Sequence, residues 1–155
     1  MQGDAFLAQF GPAAPYLRMS EGEKFKLMGE TKLNSGKKFV WVPKTDTAYE
    51  KGLVKKVEEG IAFIERCCDQ KEVKMKEEVM FEEQMNPPKF DKLEDMADLT
   101  FLNEGSVLWN LKDRYATFMF YTYSGLFCVT VNPYKMLPVY GQKIIDCYRG
   151  TVSEN

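Results

Sequence analysis

The adjacent prolines Pro87-Pro88 constrain this chain more than any other feature of its sequence. Neither can donate a main-chain hydrogen bond, each fixes its own φ, and each drives the residue before it out of the helical region. Met85-Asn86-Pro87-Pro88-Lys89-Phe90 therefore reads as an extended link of fixed direction. It divides 155 residues into parts of different texture, a length that suits one domain, or a small domain with part of another.

Before the link the texture is β. Phe39-Val40-Trp41-Val42-Pro43 is a compact run of strand formers closed by proline, and Gly52-Leu53-Val54-Lys55-Lys56-Val57 meets Ile61-Ala62-Phe63-Ile64 across Glu58-Glu59-Gly60, a hairpin turn. Glu72-Val73-Lys74-Met75-Lys76 alternates polar and apolar with period two, as a half-buried strand does. Glu and Lys are also good helix formers, so a helix over residues 71–84 is the rival reading, and the alternation favours the strand. Short strands this closely spaced suggest a small barrel over residues 37–84, because closure removes exposed edges.

After the link the period changes. Leu93, Met96, Leu99, Leu102, Val107, Leu108, Leu111 and Tyr115 recur at three- and four-residue intervals, which predicts helix in two pieces, with Asn103 or Ser106 as a cap. Phe118-Met119-Phe120-Tyr121-Thr122-Tyr123 and Leu126-Phe127-Cys128-Val129-Thr130-Val131, joined by Ser124-Gly125, predict a hairpin so apolar that both faces should be buried. Trp41, Trp109, Phe118, Phe120 and Phe127 are read as core. Residues 1–36 read as an arm. Pro12 and Pro15 disfavour helix, while Ser20-Glu21-Gly22-Glu23 can cap a short helix carrying Phe25, Leu27 and Met28; a partly ordered arm is the alternative.

Composition excludes more than it selects. The chain has no histidine, which removes the commonest general base, the Ser-His and Cys-His nucleophiles and every histidine-containing metal site. With 21 basic and 23 acidic side chains there is no electrostatic case for nucleic acid or an anionic membrane as partner. The start Met1-Gln2-Gly3-Asp4 lacks a basic region and an apolar core, and no stretch is long and apolar enough for a membrane span, so a cytoplasmic protein is expected. Cys67, Cys68, Cys128 and Cys147 are then reduced thiols, and the adjacency of Cys67 and Cys68 suits neither a zinc knuckle nor an ordinary bridge.

The residues themselves point to a family. The link with its continuation Asp91-Lys92-Leu93-Glu94-Asp95-Met96 resembles the segment that opens the motor domain of myosin heavy chains of the conventional (class II, muscle) type. Asn110-Leu111-Lys112-Asp113-Arg114-Tyr115, the run from Tyr121 to Lys135, Leu137-Pro138-Val139-Tyr140 and Tyr148-Arg149-Gly150 continue the likeness. Trp41-Val42-Pro43 resembles the small SH3-like barrel that precedes that motor, whereas the tail Thr151-Val152-Ser153-Glu154-Asn155 lacks the expected basic run. The resemblance implies an α+β chain: an arm (1–36), an SH3-like β-barrel (37–84), then helices and a buried hairpin that begin a motor domain of P-loop NTPase type (85–155). It implies an actin-based ATPase as the parent, with actin and myosin light chains as partners, ATP with Mg as its ligand, and a place in the cytoskeleton or myosin filament. A stand-alone SH3-like module that binds a light chain or filament protein is the alternative.

For sites, the resemblance implies that Asn86, Pro87, Pro88, Lys89 and Phe90 lie on the adenine side of the nucleotide in an intact motor. Proline and aromatic faces suit a purine, and Asn or Lys can bond its edge. It also implies that Asn132-Pro133-Tyr134-Lys135 lies near that pocket, although Asn132-Pro133 first reads as a strand end. A phosphate cradle requires G-x-x-x-x-G-K-[ST]. The nearest approach, Gly36-Lys37-Lys38, lacks the final hydroxyl and has Thr31 where the first glycine belongs. No catalytic residue, bound cofactor or enzyme activity is expected of this chain alone, and the phosphate loop is expected downstream of Asn155. Asp91, Glu94, Asp95 and Asp98 read as acids complementing a helix start, and no metal site is expected.

Overall fold

The computed structural model describes residues 8–149, so the start Met1-Gln2-Gly3-Asp4 and the tail Thr151-Val152-Ser153-Glu154-Asn155 lie outside the described residues. Strands β1 (Phe39–Lys44), β2 (Ala48–Glu58), β3 (Ile61–Arg66) and β4 (Glu72–Lys76) form an antiparallel sheet in sequence order. Glu59 and Gly60 both take positive φ, 50° and 76°, and this left-handed pair turns β2 into β3 as the twist of a tight hairpin requires. A bulge between Val54 and Lys56 bends the long β2 and curls the sheet. Val40, Val42, Ala62, Ile64 and Met80 form its core.

The rival readings of residues 71–84 divide the segment between them. β4 ends at Lys76, and helix α3 (Glu77–Glu82) follows at once, with Glu77 and Glu78 in its first turn. The chain then returns to the free edge of β1: Trp41 N donates to Glu83 O (2.8 Å) and Met85 N to Phe39 O (3.0 Å), with a single bridge between Val40 and Gln84 (numbering these elements in chain order, α1 is Ala14–Leu17 and α2 is Glu21–Leu33). The sheet is thus a curled half-barrel whose first edge is covered.

Ser20 caps α2 through a capping box with Glu23, as its sequence predicted. The prolines upstream do not prevent helix: Pro12 sits in a 3-10 turn (Gly11–Ala13) and Pro15 in the first turn of α1, where a missing N–H costs nothing. Beyond the link, the helical spacing resolves into a 3-10 turn (Met96–Asp98) and helix α4 (Glu104–Ala116) capped by Asn103. Strands β5 (Tyr121–Ser124) and β6 (Phe127–Thr130) pair as the expected hairpin, and α5 (Gln142–Tyr148) follows.

Two expectations fail here. The hairpin is not covered on both faces: Phe127 is 76% and Leu126 97% exposed, and β6 has only β5 as a strand neighbour among the described residues. Trp109 and Phe127 are not core, while Trp41 and Phe120 are and Phe118 is half-buried. A second core joins Phe10 and Ala13 to Phe120, Leu137, Val139 and Ile144, so the amino-terminal arm packs on the segment after the link rather than on the sheet.

Candidate functional site: the junction around the proline link

Trp41 leaves β1 on the face turned toward α4, and its indole N–H donates to Ser106 Oγ at 3.0 Å. The same hydroxyl accepts from Asn86 Nδ2 (3.1 Å). Asn86 also takes both main-chain groups of Phe101: Nδ2 donates to Phe101 O and Oδ1 accepts from Phe101 N, both at 2.8 Å. Gly105 permits this approach, because a Cβ there would stand 2.4 Å from Trp41 Cγ. Asn103 ties the same corner: Oδ1 accepts from Ser106 N at 2.9 Å, and Nδ2 donates to Glu82 O and Gln84 O at 3.0 and 2.9 Å. The start of α4 is thereby pinned to the end of the four-stranded sheet by side chains whose polar groups are satisfied.

The link itself runs as the prolines dictate. Pro87 is extended, and Pro88–Phe90 make one 3-10 turn. Lys89 N donates to Thr31 Oγ1 of α2 at 2.8 Å, while the Lys89 ammonium lies 4.8 Å from the Phe90 ring centre. Pro87 and Pro88 border a cavity of about 450 Å³ shared with Lys37, Lys38, Trp41 and Trp109. Asp91 stands in its wall. Burial, with the Asp113 carboxylate adding to it, pushes the Asp91 carboxyl up to about 6, against a hydrogen bond from Trp109 and the charge of Lys51.

Of the five residues expected on an adenine, Pro88, Lys89 and Phe90 form the 3-10 turn and Asn86 and Pro87 lead into it, but the Asn86 carboxamide is committed to Phe101 and Ser106. Sequence reasoning missed the polar face of α4. Ser106, Asn110 and Arg114, four residues apart, are its buried side, and the exposed Trp109 lies off that face. Asn110 bonds both the N–H and C=O of Leu93 (2.8 and 3.0 Å). The Arg114 guanidinium donates to Thr122 Oγ1, Lys92 O and Tyr121 O at 2.9, 3.0 and 2.7 Å; burial pulls it below its ordinary value, with the charge of Glu94 opposing. The four-residue spacing of Ser, Asn and Arg was the available signal, and it was masked by leucines at similar spacing.

Residues 26–86 match the family model of the myosin N-terminal SH3-like domain, and residues 93–155 match that of the myosin head, the motor domain. Together they support a myosin amino-terminal region. The myosin matches leave residues 87–92 between them, the stretch that holds both prolines and the 3-10 turn Pro88–Phe90. In myosin terms, the Trp41–Ser106–Asn86 chain joins a side chain of the SH3-like part to one at the start of the head.

Proposed function

We propose that this chain opens the heavy chain of a conventional, class II myosin of muscle type, an actin-based motor driven by ATP, with light chains as further partners of the parent. The interlock of Trp41, Ser106 and Asn86 carries the reading, since a motor that transmits force needs its leading domain fixed to the head rather than tethered. A free interaction module has no use for a joint that consumes its own link. In the intact motor, residues 86–90 stand on the adenine side: Pro87, Pro88 and Phe90 offer apolar faces and Lys89 a donor, with Asn86 as the anchor that holds the turn. ATP with Mg would supply the phosphoryl chemistry. This chain's residues contain no G-x-x-x-x-G-K-[ST], so they do not fit the triphosphate and its metal, and no step is assigned to them.

A second placement has an observation behind it. Both Asn86 amide hydrogens are spent on Phe101 O and Ser106 Oγ, whereas the Tyr134 ring beside Asn132-Pro133 is 90% exposed and open to a planar ligand. Lys89→Ala and Tyr134→Ala in the parent heavy chain separate the two: the residue whose loss raises the KM for ATP with the fold intact is on the adenine side. Sequencing the transcript past the Asn155 codon tests the larger reading. An open frame that encodes G-x-x-x-x-G-K-[ST] is expected, and a stop codon with the chain folded and monomeric would favour the stand-alone module. The 155-residue chain itself is expected to release no phosphate from ATP above a buffer blank, with or without actin.

A further inference from the structure

Away from the junction, the turn between β3 and β4 gathers donors of another kind. Glu50 on β2 and Cys68 and Asp69 in the turn each present one donor atom, all within 4.8 Å of one another. The Glu50 side chain, only 8% exposed, forms the floor. Cys68 Sγ donates to its Oε2 at 2.8 Å, and Lys44 Nζ lies 3.4 Å from the same oxygen. Its Oε1 is buried and accepts no hydrogen bond. Arg66 Nε stands 2.9 Å from Oε1, but the single N–H on that nitrogen is spent on Asp69 Oδ1 at 3.0 Å. A carboxylate oxygen held out of water with charge nearby and no directed donor is unusual in a native fold and costly to keep.

We propose that Glu50, Cys68 and Asp69 bind a thiophilic divalent cation of the zinc class. One thiolate and two carboxylate oxygens are a donor set such an ion accepts, at about 2.3 Å from sulfur and about 2.0–2.2 Å from oxygen, with water at a fourth position. The cation gives Glu50 Oε1 a directed bond in place of its ion pair with Arg66, and the Cys68 thiol surrenders its proton to solvent on binding. Arg66, now bridging Glu50 and Asp69, yields its place to the ion. The turn is already fixed: Cys67 N donates to Lys51 O at 2.8 Å, Gln70 N to Arg66 O at 2.9 Å and Lys71 N to Asp69 Oδ1 at 3.2 Å. Cys68 is exposed, so the ion enters directly from solvent. The sequence argued against zinc from the adjacency of Cys67 and Cys68. Sheet register supplies what the local spacing does not, because it brings Glu50 across from the turn.

Cadmium is the probe, since its thiolate charge-transfer absorbance reports the sulfur ligand directly. The reduced, chelator-treated full chain is titrated with Cd²⁺, and one tight site per chain, displaced by Zn²⁺, is expected. Cys68→Ser removes that step and Cys128→Ser leaves it. Glu50→Gln and Asp69→Asn each weaken it by roughly 10–100-fold, the range seen when a metal site loses even an outer partner. Circular dichroism follows the fold, and should Glu50→Gln unfold the sheet, Asp69→Asn and Cys68→Ser decide. A tight step that survives Cys68→Ser, that falls equally with Cys128→Ser, or that ignores the carboxylate variants overturns the site and leaves only adventitious binding to exposed thiols.

Discussion

Asn86 on the link and Asp91 just beyond it lie five positions apart and answer to opposite forces. Asn86 contributes by being satisfied: truncation to alanine leaves the N–H and C=O of Phe101 without partners and frees the Ser106 hydroxyl. We expect Asn86→Ala to cost about 2 kcal/mol, read as a lowered denaturation midpoint at unchanged m-value. Asp91 is a cost the fold carries. Its folded value of about 6 lies above its ordinary 3.8, so between those values the folded chain holds a proton that the unfolded chain has released. Stability therefore falls as pH rises from about 4 to about 6 and stays lower above it. The Asp113 carboxyl, raised by its own burial, adds to the trend in the same direction. Asp91→Asn should raise the Tm at pH 7 and flatten its slope across that window. A variant that melts below the parent at pH 7 would show that the Asp91 charge is favourable where it stands.

Among the elements, what could be read in advance followed from how far each one's packing is local. The hairpin of β2 and β3, the period-two strand β4 and the Ser20 cap rest on neighbours in sequence, and the residues announced them. Helix α4 did not announce its orientation. Its leucines suggested an apolar buried face, yet the face that packs carries Ser106, Asn110 and Arg114, whose partners (Asn86, Leu93, Thr122) come from three separate segments. Periodicity finds the helix, and only the tertiary partners say which side turns inward. The candidate site was legible to the same degree: the link and its residues were visible, but not that Asn86 would be consumed in holding it. The β5–β6 hairpin was legible as a pair and misjudged in burial. Leu126 and Phe127 lie open, and each such side chain gains roughly 1.5–3 kcal/mol when covered. Sedimentation of the isolated chain at micromolar concentration should therefore show oligomers, which Phe127→Lys on the open strand disperses. A monomeric parent would mean that the hairpin finds cover within its own chain.

For the whole molecule, two cores meet across one joint. The sheet core around Val40, Ile64 and Met80 is compact, and the second core, around Phe120 and Ile144, draws its partners from residues as distant as Phe10. Limited digestion should therefore leave residues 37–85 intact longest, with earlier cuts in residues 117–149; mass spectrometry of the surviving fragments checks it, and a resistant piece that lacks β1 to β3 would contradict it. The cover on the outer edge of β1 has a consequence in time as well as in space. Glu83 and Met85, which pair with Trp41 and Phe39, are translated long after them. On the ribosome, the first strand thus emerges with half its main-chain groups unclaimed, and they stay so until the prolines themselves have been made. A pause in translation before that point would hold a sticky edge in the exit vestibule, which gives nascent-chain chaperones a defined interval in which they matter most.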